Sequence, residues 1–141
     1  MKKKLLSILF LGVLVLGLTG CGSVKPSGRY EWKPYKDTDG IYAYYDFKGN
    51  NECTFAMSMT AISSSYSESP QNYTYTINKI DKTNYEIVLT HVSKDEKITL
   101  TYNSKDNTII DEQFKDIEQG LESKGAKSDN DVYGLFKKVN K

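Results

Sequence analysis

Hydrophobic and polar residues alternate with a period of two over most of the chain that follows residue 28. Five runs follow this pattern, at residues 41–47, 53–61, 73–78, 85–91 and 97–102. Successive side chains of a β-strand point to opposite faces. Each run therefore predicts a strand with one buried face and one exposed face.

The segments between these runs are short and rich in glycine, asparagine, aspartate and serine, as in Lys48-Gly49-Asn50. Such residues favour turns, and short turns join neighbouring antiparallel strands. Residues 30–33, 108–111 and 132–139 are further strand candidates and bring the total to about eight. The pattern predicts an all-β fold with minor α content, an antiparallel meander that forms a small barrel or a sandwich.

Residues 110–121 depart from the two-residue period and predict one short amphipathic helix. Its apolar positions have helical spacing: Ile110, Phe114, Ile117 and Leu121. The carboxylates interleaved with them are expected on a solvated face: Asp111, Glu112 and Asp116. Two polar stretches, residues 63–72 and 124–131, predict loops.

The N-terminus has a different character, because three lysines at positions 2–4 precede an apolar run at residues 5–18. A transmembrane helix needs roughly 20 apolar residues, so this run is too short to span a bilayer. A positive end followed by a short apolar segment is typical of a secretory signal peptide.

The apolar run ends at Leu18-Thr19-Gly20-Cys21, and here the chain resembles the bacterial lipoproteins, whose lipobox is a small-residue tetrad ending in cysteine. The resemblance implies cleavage after Gly20 and a diacylglyceryl group on the Cys21 sulfur. It predicts a cleaved signal peptide at 1–20, a lipidated cysteine and tether at 21–28, and a β-domain at 29–141. The implied location is the outer, extracytoplasmic face of the cell membrane, with the membrane itself as a partner.

Charge and composition change once the signal segment is set aside. The whole chain has a formal net charge of +1, whereas residues 21–141 carry 16 basic and 18 acidic residues and all 11 tyrosines. This balance excludes a strongly basic nucleic-acid binder, so no nucleic-acid partner is expected. Tyrosine favours a pleated, half-buried surface, which agrees with a sheet built on aromatic residues.

The β-domain resembles the lipocalin-like domains of small bacterial lipoproteins. The likeness lies in the tyrosine-rich strands, in the early Gly28-Arg29-Tyr30 with Trp32 nearby, and in the closing Tyr133-Gly134-Leu135-Phe136-Lys137. It implies a barrel whose mouth or interior binds a small apolar or amphipathic ligand.

Residues able to perform catalysis are few, and we predict no catalytic residue, metal or cofactor. His91 is the only histidine and ends an inward-facing run, which favours a structural or rim position. Cys53 is expected to be a small buried residue, and with Cys21 lipidated it has no disulfide partner. Asp37-Thr38-Asp39-Gly40 has the opening of a calcium loop, but Ile41 stands where a ligand is needed, so a turn is favoured.

Tyr42 and Tyr44 alternate out of phase with Tyr45 and Phe47 and are candidates for ligand or partner contact on the outer face. The other interpretation is that they form cross-strand pairs. The leading hypothesis is a membrane-anchored module that binds a ligand or an envelope partner. The alternative is a structural or assembly accessory of the cell envelope without a small-molecule site. A barrel filled by its inward residues would oppose ligand binding: Tyr45, Phe47, Phe55, Met57 and Ile87.

Overall fold

Eight antiparallel strands follow one another in chain order around a closed barrel in the computed structural model, which describes residues 24–36, 40–60 and 69–140. The strands are β1 (Gly28–Trp32), β2 (Ile41–Lys48), β3 (Glu52–Met59), β4 (Gln71–Lys79), β5 (Asn84–His91), β6 (Lys97–Asn103), β7 (Thr108–Ile110) and β8 (Leu135–Lys138). The prediction of an all-β meander is confirmed. Closure of β8 onto β1 makes the fold a lipocalin-like barrel and not a sandwich.

Tight turns join most of the strands, and the polar residues in these turns explain their conformations. Asn50 and Asn51 connect β2 to β3 with φ of 64° and 58°, a left-handed conformation that asparagine tolerates. In the β4–β5 turn, the Asp81 carboxylate accepts hydrogen bonds from the backbone N–H groups of Thr83 and Asn84. These local bonds fix the register of the hairpins.

The barrel interior is packed mainly with aromatic side chains that alternate along the strands, as the period-two pattern predicted. Tyr30, Trp32 and Tyr45 are each 0% exposed. Their rings meet others at edge-to-face or tilted angles, for example Tyr30 with Phe47 at 5.7 Å between centroids. Aromatic pairs of this kind add stability beyond the area that they bury, which offsets the small number of leucines.

The single helix, α1 (Glu112–Glu122), lies between β7 and β8. It begins later than the predicted residue 110, because Ile110 completes β7 and pairs with Thr101. Asp111 has an extended conformation and caps the helix, with its side chain accepting a hydrogen bond from the Gln113 N–H. Phe114 on α1 packs against Trp32 and Phe136, so the helix covers part of one barrel end.

The starts of β4 and β8 differ from the sequence prediction. The predicted loop at 63–72 overlaps β4, which begins at Gln71. The last strand is shorter than the predicted residues 132–139, because Gly134 turns the chain with φ of 74° just before it. The loop predicted at 124–131 is held to the barrel by Asp129, whose N–H donates to the Pro34 carbonyl and whose carboxylate accepts from the Lys36 N–H.

The two ends of the barrel are formed by different segments of the chain. The N-terminal rim consists of residues 24–27, the turns at 49–51, 80–83 and 104–107, and the strand ends beside them. The helix rim consists of residues 33–36, 92–96 and 111–134 with the strand ends beside them. Val24 packs against the core and Pro26 is buried, so these two residues of the segment 21–28, predicted to hold the lipidated cysteine and tether, contact the barrel.

Candidate functional site

A pocket of about 410 Å³ opens at the helix rim. Its walls come from the end of β3, the start of β4, the β5–β6 hairpin and α1. The lining residues are Tyr45, Phe55, Met57, Ser69, Gln71, Tyr73, Lys94, Glu96, Ile98, Gln113, Phe114 and Ile117. Its size lies within the roughly 300–1,000 Å³ range of small-molecule sites.

The pairing of β3 with β4 explains where the pocket opens. The two strands pair only from Phe55↔Gln71 to Glu52↔Thr74, four residue pairs in the part of the chain that the structure describes. Beyond Phe55, β3 continues to Met59 in register with β2. Among the residues that the structure describes, the wall is therefore incomplete on one side near the rim, and Met57 lines the pocket there together with Ile117 of α1.

The pocket has an apolar floor and a polar edge. Phe55 and Phe114 are 6% and 2% exposed, and their rings lie 6.1 Å apart in an edge-to-face arrangement. At the edge, the Tyr73 hydroxyl donates a hydrogen bond of 2.9 Å to Glu96. Lys94 stands two residues before Glu96 in the same hairpin, so the edge carries one charge of each sign. An apolar body and a polar head group match this division.

The barrel axis itself is occupied by side chains. Tyr45, Phe47, Phe55 and Ile87 are all buried, and Tyr45 packs against Phe55 with 4.8 Å between ring centroids. Met57 is only half-buried and lines the pocket. Space for a ligand is therefore at the mouth of the barrel and not along its axis.

His91 is 7% exposed and both of its ring nitrogens have hydrogen-bond partners. Nδ1 accepts from the backbone N–H groups of Ser93 and Lys94, and Nε2 lies 2.8 Å from Gln71 Oε1. These contacts shape the β5–β6 turn at the pocket edge, which agrees with the structural position predicted for His91.

Cys53 is buried beside Tyr73, and burial raises the pKa of its thiol far above the ordinary value. Cys53 and His91 are both direct cross-strand partners of Tyr73, one on each side. Adjacent strands are about 4.8 Å apart, so the two residues are separated by roughly 10 Å with the tyrosine between them. The structure therefore does not bring the Cys53 thiol and the His91 imidazole together.

The prediction that Asp111 lies on a solvated helix face is wrong. Asp111 is 1% exposed, and its Oδ2 accepts a hydrogen bond of 2.7 Å from the Tyr45 hydroxyl. Burial raises the pKa of the Asp111 carboxyl above its ordinary value, and burial with the nearby carboxylate raises that of Tyr45. Glu112 and Asp116 are exposed, as predicted.

The sequence analysis did not identify Glu118, a helix carboxylate that is 0% exposed. Its Oε1 accepts from Trp32 Nε1, from the Gly134 N–H at 2.9 Å and from Asn130 Nδ2 at 3.3 Å, and its Oε2 accepts from Ser128 Oγ at 3.0 Å. The available signal was helical spacing, because Glu118 follows Phe114 by four positions and falls on the apolar face.

The outer-face tyrosines lie side by side on β2. Tyr42 is 40% exposed, whereas Tyr44 is half-buried beneath Arg29, whose guanidinium carbon lies 3.9 Å from the ring centroid. Directly opposite them on β3 are two small buried residues, Ser58 and Ala56. Tyr44 is thus engaged in the cross-strand arrangement, and Tyr42 retains a free face.

Several predictions lie outside the described residues. They concern the signal peptide at 1–20, the lipidation of Cys21, and residues 37–39 of the turn that resembles a calcium loop. Within the described ranges, no group of three or more His, Cys, Asp or Glu side chains is placed to hold a metal ion. No helix among them has the length and apolar character needed to cross a membrane.

Neither the known protein-family models, nor the curated proteins, nor the solved structures contain a match to this chain. The arguments about function therefore rest on the residues and on the geometry of the barrel.

Proposed function

We propose that this protein is a lipoprotein, anchored through Cys21 to the outer face of the cell membrane, that binds a small amphipathic molecule in the pocket at the helix rim. The observation that carries the binding function is a pocket of about 410 Å³ at the helix rim, lined by seven apolar or aromatic side chains and five polar or charged ones. Apolar walls bury the body of a ligand, and a few polar groups orient it.

The direction of β1 supports this arrangement. β1 begins at Gly28 on the N-terminal rim and runs toward Trp32 on the helix rim. A lipid on Cys21 would therefore hold the N-terminal rim toward the bilayer and leave the pocket facing away from it. A ligand could then enter from the aqueous side without displacing the domain.

The chemistry of the ligand follows from the lining. Phe55, Met57, Ile98, Phe114 and Ile117 supply apolar and aromatic contacts suited to a hydrocarbon or ring system. The Glu96 carboxylate already accepts a hydrogen bond from Tyr73, which leaves Lys94 as the better contact for an anionic or strongly polar head group. Binding without catalysis is proposed, because the Cys53 thiol is buried in its neutral form and lies apart from His91.

Recovery of the ligand from the native envelope tests the binding function. Wild-type lipoprotein and the variant Ile117→Trp, which fills the pocket, are purified from the same membranes, and their bound small molecules are compared by mass spectrometry. We expect an amphipathic molecule in the wild type that is depleted at least tenfold in Ile117→Trp. Gln119→Trp is the matched control, because Gln119 is exposed on the same helix and does not line the pocket.

Equal recovery from Ile117→Trp and from the wild type, or no molecule from either, would contradict ligand binding. Lys94→Gln adds a second readout, since it removes the charge and leaves the apolar floor intact. It is expected to lower recovery of an anionic molecule and not of a neutral one.

Fatty-acid labelling tests the anchor separately. Cys21→Ala is expected to abolish incorporation of a labelled fatty acid, whereas Cys53→Ala should label like the wild type. Undiminished labelling of Cys21→Ala would refute the anchor and leave the pocket argument unaffected.

One observation favours the alternative, a structural or assembly accessory that contacts envelope components without a small-molecule site. Tyr42 presents a 40% exposed ring on the outer wall of β2, and exposed tyrosines are frequent contact residues at protein interfaces. A photo-crosslinking amino acid at position 42 should then capture an envelope protein, and the same group at Thr76, exposed on β4, should not.

A further inference from the structure

The N-terminal rim is basic, whereas the helix rim is acidic. Six lysines and three acidic residues lie in the turns and strand ends of the N-terminal rim; the lysines are Lys25, Lys48, Lys79, Lys82, Lys105 and Lys138. Seven lysines and nine acidic residues lie in the described part of the helix rim. The nearly neutral domain is thus polarised along the barrel axis.

An exposed aliphatic side chain projects from the basic rim. Ile80 is 59% exposed in the β4–β5 turn, and Lys79 and Lys82 flank it. The turn is rigid, since the Ile80 N–H donates to the Asn84 carbonyl at 2.9 Å and Asp81 caps two further N–H groups. An apolar side chain that is held in place between cationic side chains is typical of residues that contact the interfacial region of a lipid bilayer.

The position of Cys21 brings this rim close to the membrane. Val24 is packed against the core, and only three residue steps separate it from Cys21. Three residues reach about 10 Å when fully extended. A domain held this closely cannot turn its N-terminal rim far from the lipid.

We propose that the N-terminal rim rests on an anionic bilayer, with Ile80 inserted at the interface and the surrounding lysines on lipid phosphates. The proposal rests on the lipid anchor at Cys21 and adds a second, non-covalent membrane contact. Attraction between lysines and an anionic surface falls off over a Debye length of about 8 Å, which is comparable to the reach of about 10 Å of the fully extended connection. The contact fixes the orientation of the barrel and points the pocket away from the bilayer.

Tryptophan substitution tests the contact in the full-length lipoprotein reconstituted into vesicles. Ile80→Trp is compared with Val92→Trp, because Val92 is 60% exposed at a hairpin turn on the opposite rim. Trp32, the only native tryptophan, is fully buried and gives the same background in both variants. Quenching is measured with brominated lipid from the membrane side and with iodide from the aqueous side.

In vesicles that contain phosphatidylglycerol, we expect brominated lipid to quench Ile80→Trp at least threefold more strongly than Val92→Trp, and iodide to give the reverse order. Equal accessibility of the two tryptophans to iodide, in protein that floats with the vesicles, would overturn the rim contact and leave the anchor standing. Failure of the lipoprotein to float would overturn both.

The lysines are tested in the Ile80→Trp background. Replacing both Lys79 and Lys82 by serine should reduce quenching by brominated lipid at least twofold and remove the difference between phosphatidylglycerol and pure phosphatidylcholine vesicles. Replacing Lys124 and Lys127, an exposed pair with the same spacing on the opposite rim, by serine should not change the quenching. Unchanged quenching in the Lys79 and Lys82 variant would remove the electrostatic part of the proposal.

Discussion

The indole N–H of Trp32 donates a hydrogen bond to the Glu118 carboxylate, joining the end of β1 to α1 across 86 positions of sequence. Both residues are 0% exposed. A charge-assisted hydrogen bond in a buried position is stronger than one in water, and leaving either group without its partner is costly. This contact holds the helix on the barrel end and thereby defines one wall of the pocket.

Loss of the Glu118 carboxylate is expected to destabilise the domain strongly. Glu118→Ala leaves the N–H groups of Trp32 and Gly134 buried without an acceptor, which should lower the free energy of unfolding by about 2–4 kcal/mol. Urea unfolding followed by Trp32 fluorescence measures the change. Asp116→Ala is the control, since Asp116 is exposed on the same helix and should change stability by less than about 0.5 kcal/mol.

Two glycines are expected to respond in opposite directions to substitution by alanine. Gly134 has φ of 74°, and a Cβ there would lie 2.4 Å from the Asp111 carbonyl oxygen. Gly134→Ala should therefore cost about 2–4 kcal/mol. A Cβ on Gly120 meets no atom within 4 Å, so Gly120→Ala should stabilise the helix by about 0.5–1 kcal/mol. Thermal unfolding of both variants tests the pair, and similar melting temperatures would contradict it.

The sequence predicted the antiparallel meander because a sheet that separates an apolar interior from water imposes a two-residue period on most of its strands, and it left barrel and sandwich open. It also predicted the exposure of Glu112 and Asp116. It could not place Asp111 or Glu118, because acidic residues on an amphipathic helix are normally solvated. Only the closed fold brings the Tyr45 hydroxyl and the Trp32 indole to them.

Local sequence patterns could not predict the pocket either. Within the described ranges, the pocket opens where the pairing of β4 with β3 ends, at Phe55↔Gln71, and where Phe114 and Ile117 of α1 line the gap. Both are consequences of long-range packing. The resemblance to lipocalin-like domains implied a ligand site at the mouth or in the interior of the barrel. Because side chains fill the interior, the proposed site is at the mouth.

The buried Asp111 carboxyl should make stability depend on pH. Its pKa is raised in the folded protein, so folding favours the protonated form. That contribution is fully present below the unfolded pKa of 3.8 and is lost as the pH rises through the raised folded pKa. Asp111→Asn keeps a capping side chain without the charge. It should gain stability relative to the wild type as the pH rises above 3.8.

The carboxyl of Asp81 should give a pH dependence of stability with the opposite sign, and it serves as an internal control. Hydrogen bonds from Asn84 and Thr83 lower the pKa of its carboxyl to about 2. Its stabilising contribution is present above 3.8 and is lost as the pH falls toward 2. The destabilisation caused by Asp81→Asn should therefore shrink in acid. Urea unfolding at several pH values measures both variants, and a pH-independent difference for Asp111→Asn would contradict the raised pKa.

The Cys53 thiol should be unreactive in the folded protein and reactive once the domain unfolds. Cys53 is 1% exposed, and burial raises the pKa of its thiol, so the nucleophilic thiolate is absent at neutral pH. A colorimetric thiol reagent should detect no thiol in the native protein and one thiol per chain in denaturant. A second thiol in denaturant would show that Cys21 carries no thioether, whereas rapid reaction of the native protein would contradict the burial of Cys53. Cys53→Ala, which removes the only thiol expected to react, should give no signal in either state.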